Sequence, residues 1–247
     1  MSQNVVLITG GTGAIGTALC KQFSSEGYTV VANCHPTDVE RSSTVLEQLR
    51  VSGVNVELSA FDVTDAAACE KAVSDIEVNI GAITIVVNAA GITRDAVLTK
   101  LEPADWNAVL RTNLDGVYNV SRPVVTPMAE RKYGRIINIS SVNGQRGQIG
   151  QTNYSAAKAG MTGFTKALAR EVARDGITVN SVSPGYVQSP MIEAVPEKVR
   201  EKIVKQIPVG RFAEPEEIAR VVSFLASSDS GYITGTDMSV NGGYHIG

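Results

Sequence analysis

Along the chain, short apolar runs rich in β-branched residues alternate with stretches whose apolar positions recur at helical spacing. Residues 5–8, 29–32, 54–58, 83–87, 135–140, 178–183 and 237–240 are predicted as strands. Ile83-Thr84-Ile85-Val86-Val87 has the near-continuous apolar character of a parallel strand covered on both faces. Helical patterns occupy 15–23 and 45–50, and another begins at 102–106. That one continues through the polar interruption 111–117 to an expected glycine cap at Tyr133-Gly134. Further helices start at Tyr154 and at Glu214-Pro215-Glu216-Glu217, the latter with acids in its first turn. This order predicts an α/β fold in which a seven-stranded parallel sheet is flanked by helices. With 247 residues and 43% hydrophobic composition, the chain suffices for a single domain with a sizeable core. From 188 to 207 the pattern gives way to an insertion whose short helix holds Lys198, Arg200, Lys202 and Lys205. It reads either as an exposed helix laced by Glu201 and Lys205 at favourable spacing, or as a lid.

A net charge of −3 supplies no broad basic field, which argues against a nucleic-acid partner. Met1-Ser2-Gln3-Asn4 runs straight into the first strand without the parts of a signal peptide. No apolar run reaches membrane-spanning length, so a cytoplasmic protein without a membrane partner is expected. Cys20, Cys34 and Cys69 lack paired spacing, so neither a disulfide framework nor a metal site is expected. His35 and His245 lie near no nucleophile motif, which disfavours a Ser-His-Asp hydrolase.

The first strand leads directly into Thr9-Gly10-Gly11-Thr12-Gly13-Ala14-Ile15-Gly16 and then a helix, the order of a dinucleotide-binding unit. Such glycines permit a tight turn close to a pyrophosphate, and the free N–H groups of the helix start attract the anion. Beyond the second strand stand Asn33, Cys34 and His35 in place of the acid that would hold a ribose 2′-hydroxyl. Arg41 follows, either as a 2′-phosphate partner or as a solvated helix residue, and Asp38 reads as too late in the loop to matter. NADPH/NADP+ is therefore the expected cofactor. Tyr154 and Lys158 are four apart on one helix face, and Ser141 lies at the end of the fifth strand, with Ser140 facing the other way. A phenol beside a cation can exchange a proton with a carbonyl oxygen while a serine hydroxyl holds the same oxygen. The glycine-spaced loop 142–153 is expected to line a substrate mouth, with Gln148 and Gln151 as hydrogen-bond partners or as solvated residues.

The glycine loop, Asn88-Ala89-Ala90-Gly91, Asn113, Ser141, Tyr154, Lys158 and Pro184-Gly185 occur in the order and spacing of the short-chain dehydrogenase/reductase family, which the chain resembles over its whole length. Ala14 departs from the family's usual glycine. The resemblance implies a Rossmann-type doubly wound sheet in one domain, 1–247, with a cofactor half at about 1–135 and a catalytic and substrate half at about 136–247 carrying a lid at about 188–207. It implies that Asp62 and Val63 meet the adenine; the residues alone leave open that Asp62, Thr64 or Asp65 merely starts the next helix. Asn88, Ala89, Ala90 and Gly91 would lie along the cofactor, with Asn88 also steadying the sheet. Pro184, Gly185 and Val187 would flank the nicotinamide, and Tyr186 would point toward substrate. Asn113 would support a proton relay from Lys158, while Lys158 would lower the phenol's pKa and contact the ribose. The small residues Ala156, Ala157, Ala159 and Gly160 would pack against a neighbouring helix in a homotetramer.

Within the family, the run Asn138-Ile139-Ser140-Ser141-Val142-Asn143-Gly144-Gln145 and the ending Asn241-Gly242-Gly243-Tyr244-His245-Ile246-Gly247 resemble the acetoacetyl-CoA reductase branch of polyhydroxybutyrate synthesis. Gln145 and His245 are the more distinctive positions. The implied activity is reduction of acetoacetyl-CoA to (R)-3-hydroxybutyryl-CoA. The alternatives are a 3-oxoacyl-carrier-protein reductase and a non-catalytic NADP(H)-binding protein. Nucleotide-sugar epimerases share the Tyr-x-x-x-Lys spacing, but the chain is short for their added sugar domain.

Overall fold

The computed structural model describes residues 4–247, apart from the side chain of Met191; Met1, Ser2 and Gln3, expected to run straight into the first strand, lie outside the described residues. The elements follow in the order β1 (Asn4–Thr9), α1 (Ala14–Ser25), β2 (Thr29–Cys34), α2 (Val39–Val51), β3 (Val56–Ala60), α3 (Ala66–Asn79), β4 (Ala82–Asn88) and α4 (Pro103–Leu110). Then come α5 (Gly116–Arg131), β5 (Gly134–Ile139), α6 (Val142–Arg146), α7 (Thr152–Val172), β6 (Ile177–Pro184), α8 (Pro190–Glu193), α9 (Glu197–Val204), α10 (Pro215–Ala226) and β7 (Asp237–Val240). The sheet is seven-stranded in the order β3-β2-β1-β4-β5-β6-β7, with parallel pairing throughout.

Alternation along the strands feeds two cores. Val6 and Ile8 of β1 share one with Leu19 and Phe23 of α1 and Val222 of α10, whereas Val5 and Leu7 join Val73 of α3 and Val124 of α5 on the other face. Burying each such aliphatic side chain contributes roughly 1.5–3 kcal/mol. Thr84, the one polar residue of β4's apolar run, is left out of register where Val5 pairs with Ile83 and Val6 with Ile85. The bulge keeps the apolar side chains on either side of it buried.

Three local expectations are corrected. The third strand starts two residues late, at Val56, because the Val54 N–H is tied to Leu49 O at the end of α2. The long helix from position 102 does run on through its polar interruption, which takes the form of a π-helical turn, Arg111–Asp115, between α4 and α5, but it does not end on a glycine cap. Its left-handed terminator is Lys132 (φ 54°), and Gly134 already opens β5, where a Cβ would lie 2.5 Å from Met128 Sδ. The insertion at 188–207 forms α8 and α9, and among the described residues no ion pair joins Glu201 to Lys205. Exposed pairs of that kind gain little against side-chain entropy. No helix among the described residues is long and apolar enough to cross a membrane.

Candidate active site

Strand order reverses between β1 and β4, and the C-terminal edge of the sheet there is where a doubly wound fold leaves room for a ligand. The turn after β1 is shaped by backbone packing. Gly10 has φ 62°, and a Cβ on it would lie 2.9 Å from Ala90 Cα; one on Gly16 would lie 2.3 Å from Gly10 O. Gly13 is less constrained, with φ −77° and only Gly10 O within reach, at 3.4 Å from a Cβ. Ala14 is the first residue of α1, where alanine is the best helix former, so the departure at that position brings no backbone strain. No side chain caps α1 and no acid stands in its first turn, which leaves the N–H groups of Ala14, Ile15 and Gly16 without a side-chain partner. Thr9 Oγ1 accepts from the N–H groups of Ala89 (3.0 Å) and Ala90 (3.1 Å), fastening the segment after β4 to this turn. Asn88 itself turns inward: its Nδ2 donates to Asn138 Oδ1 (2.8 Å) and Ser121 Oγ (3.2 Å), and Asn138 donates to Thr165 Oγ1 (2.8 Å).

A cavity of about 670 Å³ opens beside the turn, walled by Gly10, Thr12 and Gly13, by His35 and Arg41, by Asp62 and Val63, and by Ala89, Ala90 and Gly91. Asn33 is buried and its amide is committed, accepting from Gly10 N (3.4 Å) and donating to Phe61 O (2.9 Å), so it braces the wall. Arg41 is exposed and has no carboxylate partner among the described residues. Asp38, expected to lie too far along the loop, stands in the same wall, because Pro36–Asp38 forms a tight turn that folds it back. Asp65 caps α3 through Ala67 N and Ala68 N. Asp62 is thus free to face the cavity, accepting from Thr64 N (2.8 Å) and lying 3.6 Å from His35 Nε2. Burial pushes the Asp62 carboxyl up, but the donors of Thr64 and the nearby His35 outweigh it and hold it below the ordinary carboxylate range. Val63 is pinned from α5: a Cβ on Gly116 would lie 2.9 Å from Val63 Cγ2, and Asn119 Nδ2 donates to Val63 O.

The end of β5 sends two serines in opposite directions. Ser140 Oγ donates to Lys158 O (3.1 Å), whereas Ser141 caps α6, accepts from Asn143 N (3.1 Å), and has its hydroxyl near enough to the Tyr154 phenol to favour the ionised form. On α7, Lys158 Nζ lies 5.6 Å from the centroid of the Tyr154 ring and donates to Ile139 O at 2.7 Å. Burial pushes the Lys158 ammonium down to about 7. Burial also pushes the Tyr154 phenol above its ordinary range; the Ser141 hydroxyl partly offsets this and Asp95 adds to it. This corrects the expectation that Lys158 lowers the phenol's pKa. The ammonium donates one hydrogen bond to the Ile139 carbonyl and faces the ring rather than the phenol oxygen, so desolvation decides. The result is a phenol that keeps its proton at neutral pH, as a donor must.

Asn113 sits in the π-helical turn, and its Nδ2 donates to Ile92 O and Val109 O, both at 2.9 Å. Its Oδ1 is buried without a protein partner. A Cβ on Gly91 would lie 2.5 Å from that oxygen and 3.8 Å from Lys158 Nζ, so both atoms border one point. Toward the mouth, Gln148 is half-buried. Gln151, expected as a partner for substrate, has both ends of its amide engaged: Nε2 donates to Asp95 Oδ2 (2.8 Å) and Oε1 accepts from Asn143 Nδ2 (2.9 Å). Tyr186 packs edge-on against Tyr244 at 5.5 Å and is tilted against Phe212 at 6.1 Å, while Arg146 lies 4.3 Å over the Tyr244 ring. Gly185 packs so closely on the end of β7 that a Cβ would lie 2.9 Å from Asn241 Cα. The bridge between Val187 and Ala213 uses Tyr186 O and Gln188 N, which turns the N–H and C=O of Val187 the other way. Pro184, Gly185, Val187, Asn113, Ser141, Tyr154 and Lys158 do not line the 670 Å³ cavity.

Sequence reasoning had assigned no role to Asp95, Arg146, Phe212 or Tyr244. Their only signal is position, since Asp95 follows β4 and Tyr244 follows β7 at the ligand edge of the sheet. A dinucleotide fits what is present: a turn too tight for side chains, an uncapped helix start after it, and a cavity lined by a carboxylate and an apolar residue, Asp62 and Val63. Residues 11–245 match the family described as enoyl-(acyl carrier protein) reductase. The chain is 48% identical to an acetoacetyl-CoA reductase of Cupriavidus necator, covering 100% of both chains. It is 50% identical over 243 residues to an acetoacetyl-CoA reductase of Rhizobium meliloti, with 98% of each covered. Against a 3-oxoacyl-[acyl-carrier-protein] reductase of Thermotoga maritima the identity is 43% over 242 residues, again 98% of each.

Proposed function

The chain belongs to the short-chain dehydrogenase/reductase family, and from that premise we propose that it reduces acetoacetyl-CoA to (R)-3-hydroxybutyryl-CoA with NADPH, in polyhydroxybutyrate synthesis. It is an oxidoreductase of the ketone and CH–OH pair and takes a nicotinamide cofactor. The observation that carries the reading is the meeting of Ser141 at the end of β5 with Tyr154 and Lys158 on α7, within a chain-long likeness to acetoacetyl-CoA reductases.

The cofactor, when bound, supplies a hydride for the ketone carbon. Gly10, Thr12, Gly13 and the first-turn N–H groups of Ala14, Ile15 and Gly16 hold its diphosphate. Asp62 and Val63 meet the adenine, Arg41 meets the 2′-phosphate, and Ala89, Ala90, Gly91 and Lys158 meet the riboses. Pro184, Gly185 and the Val187 backbone flank the nicotinamide. Asn88 acts from below, by locking β4 to β5. Ser141 orients the ketone oxygen and Tyr154 gives it a proton, which Lys158 and Asn113 replace from solvent. Gln148, Gln151 and Tyr186 border the thioester side, with Gln151 acting through Asp95.

Ala156 and Ala159 are exposed on α7, whereas Ala157 is buried and Gly160 packs against Leu114; the two exposed residues offer the contact for a homotetramer. We place the enzyme in the cytoplasm. The alternative substrate, a 3-oxoacyl group on acyl carrier protein, is favoured by the Thermotoga maritima relative and by the exposed Lys198, Lys202 and Lys205 over an acidic carrier. An idle cofactor binder has no need of the Ser141, Tyr154 and Lys158 set.

Loss of NADPH absorbance with purified enzyme tests the reading, using acetoacetyl-CoA, acetoacetyl-carrier protein and crotonyl-CoA. Fast turnover of acetoacetyl-CoA alone is expected. Preference for the carrier protein moves the enzyme to fatty-acid synthesis, turnover of crotonyl-CoA contradicts the carbonyl chemistry, and no turnover of any substrate restores the idle binder.

A further inference from the structure

Helix α6 has five residues, Val142–Arg146, and begins at Ser141. So short a helix has no stability of its own, and its position, and with it the direction of the Ser141 hydroxyl, comes from what grips it. One grip is steric: a Cβ on Gly144 would lie 2.8 Å from Lys158 Cβ and 3.0 Å from Lys158 C, so α6 lies flat on α7. The other is polar and spans the chain. Gln145 Nε2 donates to Asp237 Oδ2 and to Ser239 Oγ, both at 2.8 Å, across sequence gaps of 92 and 94 residues. Asp237 Oδ1 meanwhile accepts from Ser181 Oγ (2.7 Å) and Ser183 Oγ (2.8 Å) on β6. Gln145 Oε1 is buried without a partner, so the amide is held by its nitrogen alone.

We propose that Asp237 and Gln145 form a clamp that positions Ser141 for proton transfer, a role that rests on the reductase reading above. One carboxylate joins three elements: the helix that Ser141 caps, the strand that runs into Pro184-Gly185, and β7. Neither clamp residue touches the reacting oxygen. Both are positioning residues that act through Ser141, whose hydroxyl favours the ionised form of the Tyr154 phenol. Ser239 completes the clamp because its hydroxyl accepts or donates as its neighbours require.

Exchanging donor and acceptor tests this. Asp237→Asn replaces a carboxylate that accepts from Gln145 on one oxygen and from Ser181 and Ser183 on the other with an uncharged amide whose single oxygen serves only one side, and Gln145→Glu sets two carboxylates against each other. The double variant Gln145→Glu with Asp237→Asn restores a donor facing an acceptor, and leaves an oxygen for Ser181 and Ser183. Each single variant is expected to lower kcat for acetoacetyl-CoA by roughly tenfold or more, with KM for NADPH changed by less than about twofold. The double variant is expected to recover to within about threefold of the parent. The pH profile of 3-hydroxybutyryl-CoA oxidation adds a readout that a merely structural role would not move: its ascending limb, which follows ionisation of Tyr154 as the base, shifts to higher pH in each single variant, because Ser141 no longer favours the Tyr154 phenolate. Should the charged single variants fail to fold, Gln145→Met removes the donor at similar size and is expected to show the same kcat loss and pH shift. No recovery in the double variant, or an unmoved ascending limb, overturns the clamp. If the parent turns over no acetoacetyl-CoA, the reductase reading fails separately. The ultraviolet titration of Tyr154, taken as a difference against Tyr154→Phe, then reports whether the clamp variants raise its pKa; an unchanged titration overturns the clamp on its own.

Discussion

The turn after β1 and the cleft around Tyr154 lie on one edge of one sheet and, on the function proposed above, would hold their ligands by opposite means. In the turn the decisive feature is the lack of side chains: Gly10 and Gly16 are fixed by backbone atoms at 2.9 and 2.3 Å from where a Cβ would sit. In the cleft the decisive feature is side chains in the wrong medium, a lysine and a phenol whose burial moves both toward their neutral forms. The turn can therefore fail in binding while the chemistry survives, and the cleft can fail in chemistry while binding survives.

Tyr154→Phe should give the largest effect, a fall in kcat of roughly 10³-fold or more, with NADPH affinity by fluorescence titration within about twofold of the parent. Appreciable surviving turnover would break the comparison at its catalytic end. Lys158→Met probes the same burial through stability. The folded-state pKa of Lys158 is depressed to about 7 from 10.5, so between those values the unfolded chain binds more protons and stability rises with pH. The burial penalty is full below about pH 7 and vanishes above the unfolded value, a gain on the order of a few kcal/mol across the window. Urea unfolding of parent and variant side by side should show this rise only in the parent; equal slopes would mean that the ammonium is not desolvated.

At the other end, Gly16→Ala forces a methyl against Gly10 O. It should weaken NADPH binding by about 1–3 kcal/mol, the usual cost of overpacking, with kcat at saturating cofactor nearly unchanged. Its control is Gly13→Ala, where a Cβ finds space and ordinary φ, and where affinity should hold within about twofold. A large loss at both positions would show that the turn's glycines serve something other than close packing. Arg41→Ala should have the smallest effect of the set, about 1 kcal/mol or less of NADPH affinity at this exposed site, with NADH affinity unmoved. Equal losses for the two cofactors would assign Arg41 to general binding, and would leave the cofactor choice to Asp38 on the same wall.

The seven strands and their order of appearance were legible because each is announced by its own few residues. Boundaries were less so where a neighbour decides, as when Leu49 O claims the Val54 N–H and delays β3. In the candidate site, the structure brings Ser141, Tyr154 and Lys158 together as their spacing suggested, since a strand end and a helix turn fix them locally. The sense of the phenol's shift was not legible, because it depends on how deeply α7 sinks against β5. The same holds for Gln145, which looked distinctive without a reason, and whose partners Asp237 and Ser239 come from the far end of the chain. Gln151 looked free in a polar loop, yet Asp95 and Asn143 take both ends of its amide.

The most direct test is the fate of the transferred hydrogen. NADPH carrying deuterium at both C4 positions of the nicotinamide is incubated with the enzyme and acetoacetyl-CoA, and the product is analysed by mass spectrometry and chiral chromatography. One deuterium at C3 of (R)-3-hydroxybutyryl-CoA, with the hydroxyl proton drawn from solvent, is the predicted result. Product lacking deuterium at C3, or no product while 3-oxoacyl-carrier protein is also refused, would contradict carbonyl reduction at Ser141 and Tyr154.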